Sequence, residues 1–474
     1  MSARCCRVVL ATWLWLVPGC AGIAPPAWEL PLPEIERGRV VDSERLQRTT
    51  LENGLHVILY QDPSLPLLSL GVLTRRGGDH VSPERAGLAE FTAELMKRGA
   101  GARGALALAE AVDEIGANLS VNADWDSMSV QLSGLARARS LLIELLADVV
   151  QRPQLRPEEA VRVQAEQLAG IEKAKDDPQH LAGWQLARAL YSGHPYGLPL
   201  EGARETVAQL AAADARVFHG EVFIARNAVL YAAGNFASEE LLSELTRAFA
   251  EWLPGSLPAY PPAPPETAPA ERRVIVVDRP DLVQAQILVG HEGVARAHPE
   301  RIAITLLETV LGSGGFSSRL MGSVRSDAGL TYGIYAGFSM RRHAGPFFVS
   351  TFTRVPEVKR TVELLLAELA RIRSEPPNAD ELLRAKNYRV GSFALALETS
   401  EAVAEGLAEL DVYSLPENAL DTYRERVSEV TVEDTARLAQ KLLHPERAAI
   451  VVVGPAVALK PQLESFGLVE VVAP

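Results

Sequence analysis

Two carboxylates stand one helical turn apart in the segment GLAEFTAELMKRG, residues 87–99: Glu90 and Glu94. Residues at i and i+4 share a helix face, so the pair could hold a hard cation. The same spacing links Glu94 to Arg98, which is the pattern of an ordinary solvated face. The nine histidines (His56, His80, His180, His194, His219, His291, His298, His343 and His444) include no two spaced three to five apart. None therefore forms a zinc pair on one helix. His194, in the turn-rich SGHPYG, reads as structural. No nucleophile elbow, phosphate loop or dinucleotide glycine pattern is present. The three cysteines, Cys5, Cys6 and Cys20, all lie in the first 20 residues. The rest of the chain thus has no disulfide, thiolate metal site or cysteine nucleophile.

A second chemical candidate is the segment LGSGGFSSRLMGSVRSDAGLTYGIYAGF, residues 311–338. A glycine turn opens a short helix carrying Arg319 and Arg325. The chain then turns at Gly329 into an alternating strand with Tyr332 at its start. A guanidinium and a phenol both donate hydrogen bonds and could together hold a peptide carbonyl or its oxyanion. The bland alternative is an Arg–carboxylate pair beside a half-buried tyrosine.

These residues need elements to position them. Ser82 and Pro83 suit a helix start and Gly99 a stop, with Leu88, Phe91 and Leu95 marking the buried face. Residues 254–270, PGSLPAYPPAPPETAPA, contain seven prolines and read as a linker. It divides the chain into halves, 45–253 and 271–474. Each half opens with strands (LHVILY and PLLSLGVLT; RRVIVVD and AQILVGHEG). Each continues through amphipathic helices such as ARSLLIELLADVV and VKRTVELLLAELARI. Each closes its core with a glycine-ended strand, AVLYAAGNF and AAIVVVGPA. A two-fold repeat at about 220 residues predicts a duplicated α+β domain, a mixed or antiparallel sheet with helices on one face.

Apolar content of 47% and charged content of 23% are globular values. The net charge of −13 disfavours nucleic acid as a partner. At the N-terminus, Arg4 and Arg7 precede the apolar run VVLATWLWLV and then Pro18-Gly19-Cys20. This predicts a signal peptide over 1–19. Val17–Cys20 resembles a bacterial lipobox, which would make Cys20 a lipid anchor and 20–44 its tether. In a Gram-negative host the expected place is the periplasmic face of the outer membrane.

Gly314-Gly315-Phe316-Ser317-Ser318-Arg319-Leu320, followed by Arg325 and by Gly329-Leu330-x-Tyr332, resembles the second-domain signature of the pitrilysin/insulinase zinc peptidases. TLENGLHVIL (50–59), DDPQHLAG (176–183), SGHPYGLPLEG (192–202) and DRPDLVQAQILVG (278–290) extend the likeness across about residues 45–460. The family's active chains carry H-x-x-E-H on a helix, two zinc-binding histidines and a general base. Here the matching positions are Glu90, Ala93 and Glu94. The third ligand position falls on Gly170, with Glu166 and Glu172 close by.

The resemblance therefore implies a non-catalytic homologue with no metal or cofactor of its own, one chain of a clam-like heterodimer. Its partner would carry H-x-x-E-H and zinc, and the pair would cut peptides or unfolded polypeptides. Arg325 and Tyr332 would contact the substrate carbonyl in the partner's site. Asn122, Ala123, Asp124 and Trp125 match the family's substrate-pairing edge strand. The alternatives are an assembly scaffold that has lost protease function, and an active peptidase with a carboxylate metal site at Glu90 and Glu94.

Overall fold

The first sheet is built from runs that differ by how many faces they bury. A computed structural model describes residues 39–256, 259–260, 262–264 and 271–474. The expected signal peptide, Cys20 and parts of the tether and linker lie outside these residues. Strands β1 (Leu46–Thr50), β2 (His56–Gln61) and β3 (Leu67–Thr74) are followed by a two-residue ladder, β4 (Gly99–Ala100) with β5 (Arg103–Gly104). Then come β6 (Asn118–Ala123), β7 (Met128–Leu135) and β8 (Ala228–Gly234). The sheet order is β1-β2-β8-β3-β7-β6. Strand β8, AVLYAAG, is buried throughout, whereas β7 alternates buried and part-exposed residues over most of its length. Unbroken apolar runs suit strands covered on both faces, and alternation suits one covered face.

The second half repeats this plan. Strands β9 (Arg273–Asp278), β10 (Gln284–Glu292), β11 (Ile334–Phe338), β12 (Pro346–Arg354), β13 (Ala449–Gly454) and β14 (Val469–Val472) form a sheet of order β11-β12-β10-β13-β9-β14. The central pairings agree in direction too: β8 runs parallel to β2 and antiparallel to β3, as β13 does to β9 and β10. The outermost strand differs. β1 forms an antiparallel hairpin with β2, whereas the C-terminal β14 lies parallel to β9.

Each half packs its own helices on one face of its sheet, as expected from sequence. The opposite face is covered by a helix from the other half. Helix Ser400–Val412 lays Val403, Ala404 and Leu407 against Ile58, Val229 and Tyr231 of the first sheet. Reciprocally, helix Pro178–Leu190 lays Leu181, Ala182 and Leu186 against Ile275, Leu288 and Val451 of the second. Gly290 on β10 makes the latter approach feasible: a Cβ there would sit 2.9 Å from Leu186 Cδ2 and 2.6 Å from the Phe347 carbonyl. Polar ties reinforce the exchange. Asp411 accepts from His56 Nδ1 at 2.7 Å and pairs with Arg75, and Gln131 donates to Glu405 at 2.6 Å.

Two expected boundaries move. The helix expected from Ser82 starts at Leu88, after a separate turn at Pro83–Arg85. Gly87 takes φ 97°, a left-handed conformation that no continuing helix tolerates, and a Cβ there would sit 2.8 Å from the Glu201 carbonyl. The last tether residues are also docked. Val40 and Val41 donate their backbone N–H groups to the Asp421 carboxylate at 3.0 and 2.9 Å, and Val41 is buried.

Candidate functional site

Helix Leu88–Met96 buries Leu88, Phe91, Ala93 and Leu95 in the first core. Ala93 is 1% exposed and carries no group that could take a proton. Glu90 is half-buried, and its carboxyl is raised above the ordinary range by burial first and the neighbouring Glu94 second. Glu94 already has a cation: Lys97 Nζ lies 2.6 Å away. On helix Pro157–Ala174, which packs against this helix, Gly170 is exposed and offers no side chain. The two glutamates near it in sequence are engaged elsewhere, Glu166 with Arg98 at 2.6 Å and Glu172 with Arg204 at 3.0 Å. Among the described residues no three His, Cys, Asp or Glu side chains are grouped to hold a metal ion. Zinc therefore does not fit here. An ammonium neutralises one carboxylate, and the third ligand and the base are missing.

The Arg325 segment is built differently. Helix Arg301–Glu308 runs into a widened π turn at Thr309–Ser313, then a tight turn at Gly315–Ser317. A second π turn, Met321–Asp327, carries Arg325. Gly315 and Gly329 take φ 64° and 63°, left-handed positions bracketing Arg325. Such widened turns recur at functional sites. Arg319 is structural: its guanidinium pairs in two places with Glu381, at 2.8 and 2.9 Å, and donates to the carbonyls of Glu375 and Pro376. Arg325 has no such anchor. It makes no ion pair with a described residue, and its guanidinium rests 4.3 Å over the Phe316 ring. Tyr332 is 80% exposed, and its hydroxyl bonds to no described residue. The carboxylate pair and half-buried tyrosine of the bland alternative are thus not what the structure has. Among the described residues nothing takes up the donors of either side chain.

Residues 56–204 match the family model described as insulinase, peptidase family M16, and residues 209–388 match that of the M16 inactive domain. The chain belongs to the insulinase (M16) peptidase family. It is 27% identical to an uncharacterized zinc protease of Streptomyces coelicolor over 86% of this chain and 90% of that one. It is 23% identical to the uncharacterized zinc protease YmxG of Bacillus subtilis, over 86% and 98%. Among solved structures, an M16 inactive-domain peptidase from Pseudomonas fluorescens superposes with a TM-score of 0.80 at 27% identity, covering 86% of this chain and 98% of that one. A Helicobacter pylori protease gives the same TM-score of 0.80 at 18% identity, over 86% and 99%, a likeness of fold.

Within this M16 chain the expected substrate strand divides. Asn122 and Ala123 end β6, which pairs only with β7 and forms the sheet edge among the described residues. At Asp124 and Trp125 the backbone turns in, while the Asp124 residue stays exposed. Their carbonyls accept from Gly78 N at 2.8 Å and Asp79 N at 2.7 Å, and Arg341 stacks 3.7 Å over the Trp125 ring. Next to them Asp126, 1% exposed, accepts from the Tyr196 hydroxyl at 2.6 Å and from Arg342 N at 2.7 Å. That contact ties the β11–β12 turn of the second half to the first half. His194 is buried in the same region, its Nδ1 accepting from Tyr196 N and its pKa lowered to about 4 by burial, so the structural reading of this histidine fits its surroundings.

One residue was not singled out from sequence. Glu308, buried just before the first π turn, accepts from Phe338 N at 2.8 Å and from Arg389 Nη2 at 2.9 Å. Arg389 also donates to Ser313 Oγ at 2.7 Å. Burial raises the Glu308 carboxyl to about 7. This carboxylate links the glycine turn, edge strand β11 and helix Ala379–Ala396, and so holds the scaffold from which Arg325 projects. A lone charge in the apolar run ITLLETVLG was the available signal.

Proposed function

We propose that this M16 chain acts as the non-catalytic member of a two-chain zinc peptidase. The observation that carries the reading is a contrast. The metal-ligand positions are filled by two glutamates, Glu90 and the Lys97-paired Glu94, and by Gly170, and the base position by Ala93, while Arg325 and Tyr332 stand with donors unspent on any described residue. The partner would supply H-x-x-E-H and the zinc-activated water. Arg325 and Tyr332 would donate to the scissile carbonyl oxygen as it gains negative charge; donors aimed at such an oxyanion typically contribute about 10²–10³ in turnover. Substrates would be flexible peptides, selected by access. A lipid at Cys20 would hold the pair at the periplasmic face of a membrane.

The test purifies the chain alone and with a homologue bearing intact H-x-x-E-H, and follows a quenched peptide with and without chelator. The expected result is cleavage only by the pair, abolished by chelator. Chelator-sensitive cleavage by the lone chain would overturn the proposal. Replacing Arg325 with Gln or Tyr332 with Phe should lower turnover of the pair by about 10²-fold without loss of assembly. Unchanged turnover would leave a scaffold role instead.

A further inference from the structure

A cavity of about 240 Å³ lies where helix Ser400–Val412 leaves its own half to cover the other sheet. Its walls are apolar, among them Ile302, Met340, Phe393, Leu410 and Leu415. Two guanidiniums also line it, Arg296 and Arg301. The charges do not cancel. Arg296 pairs with Glu409 at 2.5 Å, yet its Nε is buried without a partner. Arg301 makes no ion pair with any described residue. The neighbouring acid Glu300 is taken by Arg437, and the nearby Arg426 donates to the Pro299 carbonyl. One positive charge therefore remains over at the rim of an apolar space.

We propose that this cavity binds a small organic carboxylate with an apolar body, an aliphatic or aromatic monoacid, its carboxylate on Arg301. The volume equals that of roughly eight waters at about 30 Å³ each, which suits a ligand of about eight to ten heavy atoms. Arg presents paired donors in carboxylate geometry, and burial of the hydrocarbon against the leucine and phenylalanine walls supplies the rest. The site lies outside the Arg325–Tyr332 segment and does not depend on the function proposed above. Bound there, the acid would join Arg301, on the first turn of its helix, to Gly406 and Glu409 on the exchanged helix.

The test titrates the full chain with hexanoate and benzoate by calorimetry, with hexanol, benzyl alcohol and acetate as controls. The acids should bind at least about tenfold more tightly than the alcohols, the ratio expected when a charge-assisted hydrogen bond is lost, and more tightly than acetate, which lacks the apolar body. Arg301→Gln should erase the preference for acids while leaving the melting temperature of the free protein unchanged, because Arg301 holds no ion pair with a described residue. Gly406→Leu, which fills the cavity from the helix side, should abolish binding of acids and alcohols alike. Three outcomes would each overturn the proposal: no binding, equal binding of acids and alcohols, or wild-type acid binding by Arg301→Gln.

Discussion

Replacing Leu407 with alanine tests whether the exchanged helices make the two halves one folding unit. Leu407 belongs to the second half in sequence, is 2% exposed, and packs on the first sheet. Buried Leu→Ala changes cost about 2.7–5.0 kcal/mol, the lost transfer energy plus the cavity left behind. The sheet beneath is fixed by its neighbours and cannot collapse into the gap, so about 3 kcal/mol is a fair value. For a chain of this size the urea m-value, scaled from small domains, is about 4 kcal/mol/M, so the midpoint should fall by about 0.7 M. The described tryptophans, Trp125, Trp184 and Trp252, all precede the linker, and the sequence has none beyond Trp252. Fluorescence therefore follows the first half and its exchanged helix, while far-ultraviolet circular dichroism follows both halves. The two signals should shift together. A fluorescence midpoint that stays put, or two transitions that separate, would refute the claim that a second-half residue stabilises the first-half sheet.

Glu308 should impose a pH dependence. Its carboxyl is raised from near 4.5 to about 7 by burial, so the folded state keeps a proton that the unfolded chain releases first. Stability is then unaffected at low pH and declines as pH rises from about 4.5 to 7, by up to about 3 kcal/mol. Glu308→Gln should lack this descent; parallel unfolding curves for the two proteins across the window would count against it. Arg325→Gln and Tyr332→Phe should leave the melting temperature within about a degree of the parent, since Tyr332 is exposed and the part-buried Arg325 has no ion pair with a described residue to lose. A drop of several degrees by calorimetry would show that they are structural. The purified chain, dialysed against zinc and analysed by plasma mass spectrometry, should carry well under one equivalent. Adding Glu90→His, Glu94→His and Gly170→Glu together should raise that to about one, as three ligands suffice for a catalytic-type site.

Much of the architecture was legible because it is written locally. Apolar runs such as VLYAAG and IVVVG marked the central strands, and their recurrence about 220 residues apart marked the duplication. The loss of H-x-x-E-H and the retained Arg325 and Tyr332 were likewise a matter of residue type at a position. What stayed hidden was partnership at long range. The apolar stripe of helix Ser400–Val412 says that one face is buried, but nothing in its period says that the sheet beneath belongs to the other half. Glu308 and Arg389 are 81 positions apart, and the Lys97 contact that neutralises Glu94 depends on a side-chain rotamer. The early start assigned to helix Leu88–Met96 failed for a local reason, the left-handed Gly87.

The reciprocal exchange also sets a schedule for biosynthesis. The first sheet has all its strands once residue 234 has been made, yet the helix that covers its second face ends at residue 412. At about 5–20 residues per second, the intervening stretch takes roughly 10–35 seconds to emerge. Through that interval Ile58, Val229 and Tyr231 have no covering helix. The nascent chain is therefore most exposed to misassociation when half made, and a chaperone that shields apolar sheet faces would matter more for its yield than for its final stability.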